Sequence, residues 1–288
     1  MVGLGLMGSQ IAAHLARAGW AVFGHDLNAD AKSSLEAAGG VFCERLADAL
    51  MSGGTVLTSL PSSAAFRAVV DAVASAEVRP GIVVDTSTLG LADKAWAHER
   101  LAGNGVEFLD CPLSGTAAQA ATKDLVVYAS GLEAAVTAIG PLLEAFARKV
   151  YFVGPCGAGT KLKLVANLLV AVHNVAAAEA ICLARRAGLD PELVVRAVGD
   201  GAGGSRMLQV RGPMMVGRSY RPATMKIDVF LKDLDLIGAF SAESGAMTPL
   251  LAVADRLYRA ASAAGPDEED TAAVCSMVET LAAPVRAN

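Results

Sequence analysis

The chain opens MVGLGLMGSQ (residues 1–10), and its three glycines, Gly3, Gly5 and Gly8, stand in the spacing GxGxxG. In a βαβ unit that spacing turns a buried strand sharply into a helix, lets a pyrophosphate approach the second glycine, and packs helix on strand at the third. The helix amides at such a start carry partial positive charge and suit an anion. Only Met1 and Val2 precede the turn, too few for a strand. The first strand is therefore expected to be incomplete as written, its remaining residues supplied by an upstream start or by tag sequence.

Outward from the turn, residues 7–18 place apolar side chains at helical spacing and stop at Gly19, and AVFGHD (21–26) reads as a short buried strand. Asp26 at its end is placed to accept hydrogen bonds from the ribose hydroxyls of an adenosine, the alternative being a helix-capping aspartate before Asn28. Further strand-like runs are VFC (41–43), TVLTSL (55–60), GIVVDTS (81–87), VEFLD (106–110), DLVVYAS (124–130) and VYFV (150–153), with Ala-rich helical stretches between them. This alternation predicts an α/β fold with a doubly wound, mainly parallel sheet.

From about Thr160 the pattern changes to one long helical segment closed by Gly188, with nothing strand-like after it, so the second half reads as all-helical. The expected division is a cofactor-binding domain over 1–156 and a helical substrate and dimerisation domain over 157–288. The long helix is apolar nearly all round, which implies burial by its own domain and by a second subunit.

With 53% hydrophobic and 18% charged residues, 288 residues supply ample core. A net charge of -5 without a Lys/Arg cluster disfavours nucleic acid. Cys43, Cys111, Cys156, Cys182 and Cys275 form no CxxC or Cys/His cluster, so neither zinc nor a disulfide frame is indicated and a reducing cytoplasm fits. No basic segment followed by an apolar run is visible at the start. The apolar tract from Leu164 to Ala178, about 15 residues with Asn167, His173 and Asn174 inside it, is expected to be too short and polar to cross a membrane.

Lys163 and Asn167 lie four residues apart on the long helix and so share a face. A lysine in an apolar stretch is costly unless paired or shifted towards a usable acid/base, although one at a helix start can also extend to solvent. DCPLSGTAAQAATKD (110–124) is a strand end followed by small residues, where the amides of Ser114 and Gly115 and the serine hydroxyl can hold a carboxylate. No GxSxG elbow surrounds Ser114, and His14, His25, His98 and His173 share no metal-ligand spacing and read as structural.

Taken together, GLGLMG, SLP (59–61), DTST (85–88), DCPLSG (110–115), GPCGAGTKLKLVAN (154–167) and LKDLDL (231–236) resemble the β-hydroxyacid dehydrogenase family, which includes 3-hydroxyisobutyrate dehydrogenase and tartronate semialdehyde reductase. The resemblance runs almost end to end. It implies a Rossmann-type domain followed by an all-helical one, Lys163 as catalytic acid/base, Asn167 orienting the substrate, and Ser114 with Gly115 binding its carboxylate. It further implies that Gly3, Gly5, Leu6, Met7, Gly8, Asp26, Leu60, Pro61 and Thr88 border a nicotinamide cofactor, and that Lys232 stands on its nicotinamide side. The members that use NADP tend to carry Asn-Arg-Thr where this chain has Asp26-Leu27-Asn28, so NAD is expected over NADP. Where members commonly read Ser-Gly-Gly and then another glycine, this chain has Thr116 and Gln119. Those side chains are expected to meet extra substrate hydroxyls, as in a threonate-like sugar acid. A homodimer or homotetramer is expected. The rival outside enzymes is a catalytically silent nucleotide-binding protein on the same fold, against which Lys163 speaks.

Overall fold

The computed structural model describes residues 1–51, 53–265 and 268–282. The runs TVLT, IVVD and EFLD form three parallel strands in register, Thr55–Thr58, Ile82–Asp85 and Glu107–Asp110. Their side chains alternate between two cores. Val56, Val83 and Phe108 pack with Phe66, Val70 and Val73, whereas Leu57, Val84 and Leu109 pack with Ile11, Leu15, Leu143 and Phe146. This is the period-two pattern of a sheet covered by helices on both faces.

Pairing continues on either side. Phe23–Gly24 lies parallel to Val41–Phe42. Val2 bridges His25 and Thr58 in parallel and so occupies the first-strand position between them. Beyond Glu107–Asp110, an antiparallel bridge from Asp110 to Ser130 leads to Val126–Ala129, which pairs antiparallel with Leu113–Ser114 and parallel with Lys149–Phe152. The strand order is therefore 41–42, 23–24, Val2, 55–58, 82–85, 107–110, 126–129, 149–152, the doubly wound order. Each run read from the sequence contains or overlaps its strand. The two-residue pairing at Leu113–Ser114 went unread because a Pro-Ser loop carries no alternation.

The chain divides into two compact units, Met1–Lys163 and Leu164–Asn288, and the helix Ala158–Arg186 runs unbroken through the division. Among the described residues the second unit is helical, with Pro191–Gly199, Arg206–Gly217, Ile227–Glu243, Pro249–Ala264 and Val274–Leu281. The 29-residue helix holds an 18-residue window of mean hydropathy 1.7, so by length and composition alone it passes for a membrane span, and it is longer than the apolar tract suggests. Leu164, Ala171, Val175, Ala178 and Ile181 on it pack instead into the core of the second unit with Phe230, Leu234 and Tyr258. Phe230 and Tyr258 meet edge to face, centroids 5.3 Å apart.

One buried ion pair ties this unit together. Arg211 donates from Nε to Asp270 Oδ1 at 3.0 Å, and Asp270 also accepts from the amides of Thr224, Met225 and Ala272 and from the Thr224 hydroxyl. Burial opposes ionisation of Asp270, but Arg211 and these donors outweigh it, so its carboxyl titrates below the usual carboxylate range. Arg211→Met, which strands the carboxylate, is expected to cost about 3–5 kcal/mol in chemical denaturation. Because the folded pKa is the lower one, the stabilisation from Asp270 is full above its unfolded value of 3.8 and is lost as pH falls further. A denaturation series from pH 6 to 3 that is equally steep for wild type and Asp270→Asn would contradict this.

Candidate active site

The glycine turn is built by close approach. Gly3 has φ +86°, and a Cβ there would stand 2.3 Å from the Ser59 carbonyl oxygen; a Cβ on Gly8 would stand 2.0 Å from the Gly3 carbonyl oxygen. Neither position admits a side chain. Gly5, which caps the helix Leu6–Arg17 without a side-chain hydrogen bond, has nothing within 4 Å of its would-be Cβ. The result is a helix start with no side-chain cap and open space beside Gly5, a feature that suits the pyrophosphate of a dinucleotide. Leu6 beside it is exposed, and Met7 packs against the core.

Asp26 completes the turn from the next strand. Its Oδ2 accepts from the Leu4 amide at 2.6 Å and its Oδ1 from the Asn28 amide at 2.8 Å. The half-buried carboxylate thus pins the glycine loop, and its remaining lone pairs stay available to ribose hydroxyls. Leu60 also borders Gly3, its Cδ2 lying 3.1 Å from the would-be Cβ, and its amide donates to Ser87 Oγ at 2.8 Å. Pro61 is exposed and Thr88 half-buried. These groups fit a nicotinamide dinucleotide. His14 and His25 are spent on backbone carbonyls, those of Ala120 and Cys43.

In the 110–124 loop, Ser114 ends a short strand, half-buried, with no hydroxyl partner among the described residues. Gly115 has φ +142°, and a Cβ there would stand 2.6 Å from Leu125 Cδ2. Thr116 and Gln119 turn towards one another in a capping box at the start of the helix Ala117–Ala121. The Thr116 hydroxyl accepts from the Gln119 amide, Gln119 Oε1 accepts from the Thr116 amide at 3.0 Å, and Gln119 Nε2 donates to Asp124 Oδ2 at 3.1 Å. Both side chains expected to meet substrate hydroxyls therefore have local partners.

Lys163 and Asn167 occupy successive turns of the helix Ala158–Arg186, and both are buried, at 7% and 4% exposure. Asn167 Nδ2 donates to Asp233 Oδ2 at 2.9 Å, and Lys232 Nζ lies 3.9 Å from Asp233 Oδ1. The carboxylate acceptor fixes which end of the carboxamide faces it, leaving Oδ1 as the end presented elsewhere. Asp233 was not singled out from the sequence. It stands inside LKDLDL, where Lys232 alone drew a role, and only the packing of two helices makes it the partner of Asn167.

Comparison with known proteins gives the family. Residues 1–154 match the family described as the NAD binding domain of 6-phosphogluconate dehydrogenase, and residues 157–278 that described as NAD-binding of NADP-dependent 3-hydroxyisobutyrate dehydrogenase. The L-threonate dehydrogenase of Cupriavidus necator is 34% identical over 291 residues, covering 100% of this chain and 98% of that protein. The crystal structure of 3-hydroxyisobutyrate dehydrogenase from Salmonella typhimurium is 34% identical, with a TM-score of 0.83 over 96% of this chain and 98% of that one. The Mycobacterium tuberculosis 3-hydroxyisobutyrate dehydrogenase, solved with L-serine, is 28% identical, with a TM-score of 0.87 over 96% and 97%. Fold, cofactor cradle and relatives together define a nicotinamide-dependent oxidoreductase of hydroxy acids, and the silent-binder alternative falls. The chain belongs to the β-hydroxyacid dehydrogenase family, that of 3-hydroxyisobutyrate dehydrogenase.

The three glycines separate folding from binding. Gly5→Ala is expected to cost less than about 1 kcal/mol of stability, the usual scale at an N-cap, while weakening NADH binding at least about tenfold in a fluorescence titration. Gly8→Ala should instead lower the melting temperature markedly, since its Cβ meets backbone. Equal binding by Gly5→Ala and wild type would remove the cofactor from this turn.

Proposed function

We propose that the protein is an NAD-preferring dehydrogenase of a short hydroxylated acid of the threonate type, with Lys163 as the proton-transfer group. The observation that carries this is the pair Lys163 and Asn167, buried on successive turns near the start of one helix. When bound, the nicotinamide supplies the hydride acceptor or donor. Lys163 Nζ, as the neutral amine, takes the hydroxyl proton as the substrate carbon is oxidised and, as the ammonium so formed, returns it in reduction. Asn167, its Nδ2 committed to Asp233, offers Oδ1 to the substrate hydroxyl. Ser114 Oγ and the Gly115 amide hold the carboxylate, and Thr116 and Gln119 act on substrate choice through the loop that they cap. Lys232 neighbours the nicotinamide side.

The threonate class is supported by the L-threonate dehydrogenase of C. necator among the relatives. The preference for NAD is supported by Asp26, since a 2′-phosphate would meet its carboxylate and no arginine follows in Leu27-Asn28. Like-charge repulsion in a partly desolvated site is worth roughly 10- to 1000-fold in affinity. Val165, Leu169 and Leu183, exposed on the long helix, support a homodimer or homotetramer, and five unpaired cysteines are compatible with the cytoplasm.

A screen of hydroxy acids with NAD and NADP, read by absorbance of the reduced cofactor, tests substrate and cofactor together, and comparable catalytic efficiency with NADP would overturn the Asp26 assignment. On the best acid, Lys163→Ala should lower turnover by roughly 10²- to 10⁴-fold with NAD binding nearly intact. Undiminished turnover would take Lys163 out of the mechanism. Light scattering of the purified protein should give twice or four times the 29.3 kDa chain mass, and a monomer would reject the subunit contact.

A further inference from the structure

Beneath these loops lies a buried charge cluster. Thr58, Asp85 and Asp110 end three neighbouring strands in one register row, which sets two wholly inaccessible carboxylates side by side. Like charges on adjacent strands repel, and more strongly away from water. Lys94, on the helix Leu91–Ala102 and equally inaccessible, neutralises the repulsion. Its Nζ donates to Asp85 Oδ2 and to the Ser87 carbonyl (2.9 Å) and lies 3.1 Å from Asp110 Oδ1. Burial disfavours its charge, but the two carboxylates outweigh burial and hold its pKa above the ordinary lysine value.

The cluster is tied to loops at both ends. Thr58 Oγ1 (2.6 Å) and Ser87 Oγ (2.7 Å) donate to Asp85 Oδ1, and the Ser87 hydroxyl accepts the Leu60 amide. At the other end Asp110 accepts the Thr160 amide on Oδ2 and the Thr160 hydroxyl on Oδ1, both at 2.8 Å. Ser130 Oγ donates to the Asp110 carbonyl and accepts from the Gly159 amide, each at 2.9 Å. Gly159 and Thr160 belong to the first turn of the helix that carries Lys163, and a Cβ on Gly159 would stand 2.6 Å from the Asp110 carbonyl oxygen. Asp110 thus receives the positive end of that helix dipole.

We propose that Asp85, Lys94 and Asp110 are positioning residues of the dehydrogenase, one ionic unit that fixes the Leu60 loop through Ser87 and the start of the Lys163 helix through Thr160. The unit sits at the carboxyl ends of parallel strands, where ligands of such sheets bind, and gives both loops a common rigid reference. The proposal rests on the assignment of Lys163 above. It predicts that the two ends separate kinetically, because each variant below cuts one link and leaves all three charges in place.

Ser87→Ala in the full-length enzyme should raise KM for NAD by about tenfold with kcat nearly unchanged. Thr160→Val should lower kcat by about tenfold, with KM for NAD nearly unchanged and a displaced pH profile of kcat, and Thr160→Ser should restore both. If both variants lose melting temperature but keep wild-type kcat, KM and pH profile, the cluster only stabilises the fold and the proposal is overturned. Lys163→Ala run alongside distinguishes the failures. Lost turnover there with a wild-type Thr160→Val defeats the positioning role alone, whereas full turnover in Lys163→Ala defeats the assignment on which it rests.

Discussion

The first unit depends on how closely the helix Leu6–Arg17 meets the chain at Gly3. Because Gly8 has no Cβ, the helix axis comes down onto the Gly3 carbonyl, and because Gly3 has none, the turn passes under Ser59. Val2 can then bridge His25 and Thr58 in the middle of the sheet, and the helix starts beside open space at Gly5. A methyl group at either tight position would force backbone apart, a displacement that close-packed interiors transmit rather than absorb. Asp26 closes the arrangement by receiving Leu4, so the group proposed to choose between cofactors is also one that holds the cradle in shape.

Legibility in the sequence followed the range of the interaction. The strands at 55–58, 82–85 and 107–110 were readable because apolar residues alternate over both faces of a covered sheet, and the glycine turn because its spacing lies within one short stretch. Thr116 and Gln119 are a further local case, since the spacing of a capping box, Thr followed three residues on by Gln, is itself in the sequence and gives both side chains a partner. Lys94 was not readable at all. A lysine in a helix is ordinarily solvated, and its carboxylate partners are neighbours only through strand register. Asp233 was hidden for the same reason, since its contact with Asn167 joins two helices 66 residues apart in sequence.

The second unit distributes its polar groups in a different way. Asp270 receives six hydrogen bonds, from Arg211 and from the loops around it, and Asn174 donates to the Tyr258 hydroxyl and to the Thr271 carbonyl within the apolar core. These links add to the antiparallel bridge between Lys226 and Asp270 and brace the irregular backbone of 219–225 beside it. The long helix packs its buried face with small residues, Ala171, Ala177, Ala178 and Ala184, which lets neighbours approach closely while leaving its start to Lys163 and Asn167.

A buried ion cluster is a poor way to gain stability, since well-packed apolar residues of like volume often do as well. What apolar contact lacks is direction, because hydrophobic burial scales with area and is indifferent to orientation. The Asp85, Lys94 and Asp110 cluster is rich in directed bonds: threonine and serine hydroxyls and a helix amide each reach one carboxylate oxygen. Such bonds fix positions to a few tenths of an ångström, the tolerance that hydride transfer at one carbon and proton transfer at its oxygen demand of groups on separate segments. The desolvation cost is tolerable because every charge has a partner and the lysine faces two carboxylates. The negative excess that remains is met by the hydroxyl donors and by the positive end of the helix dipole at Thr160.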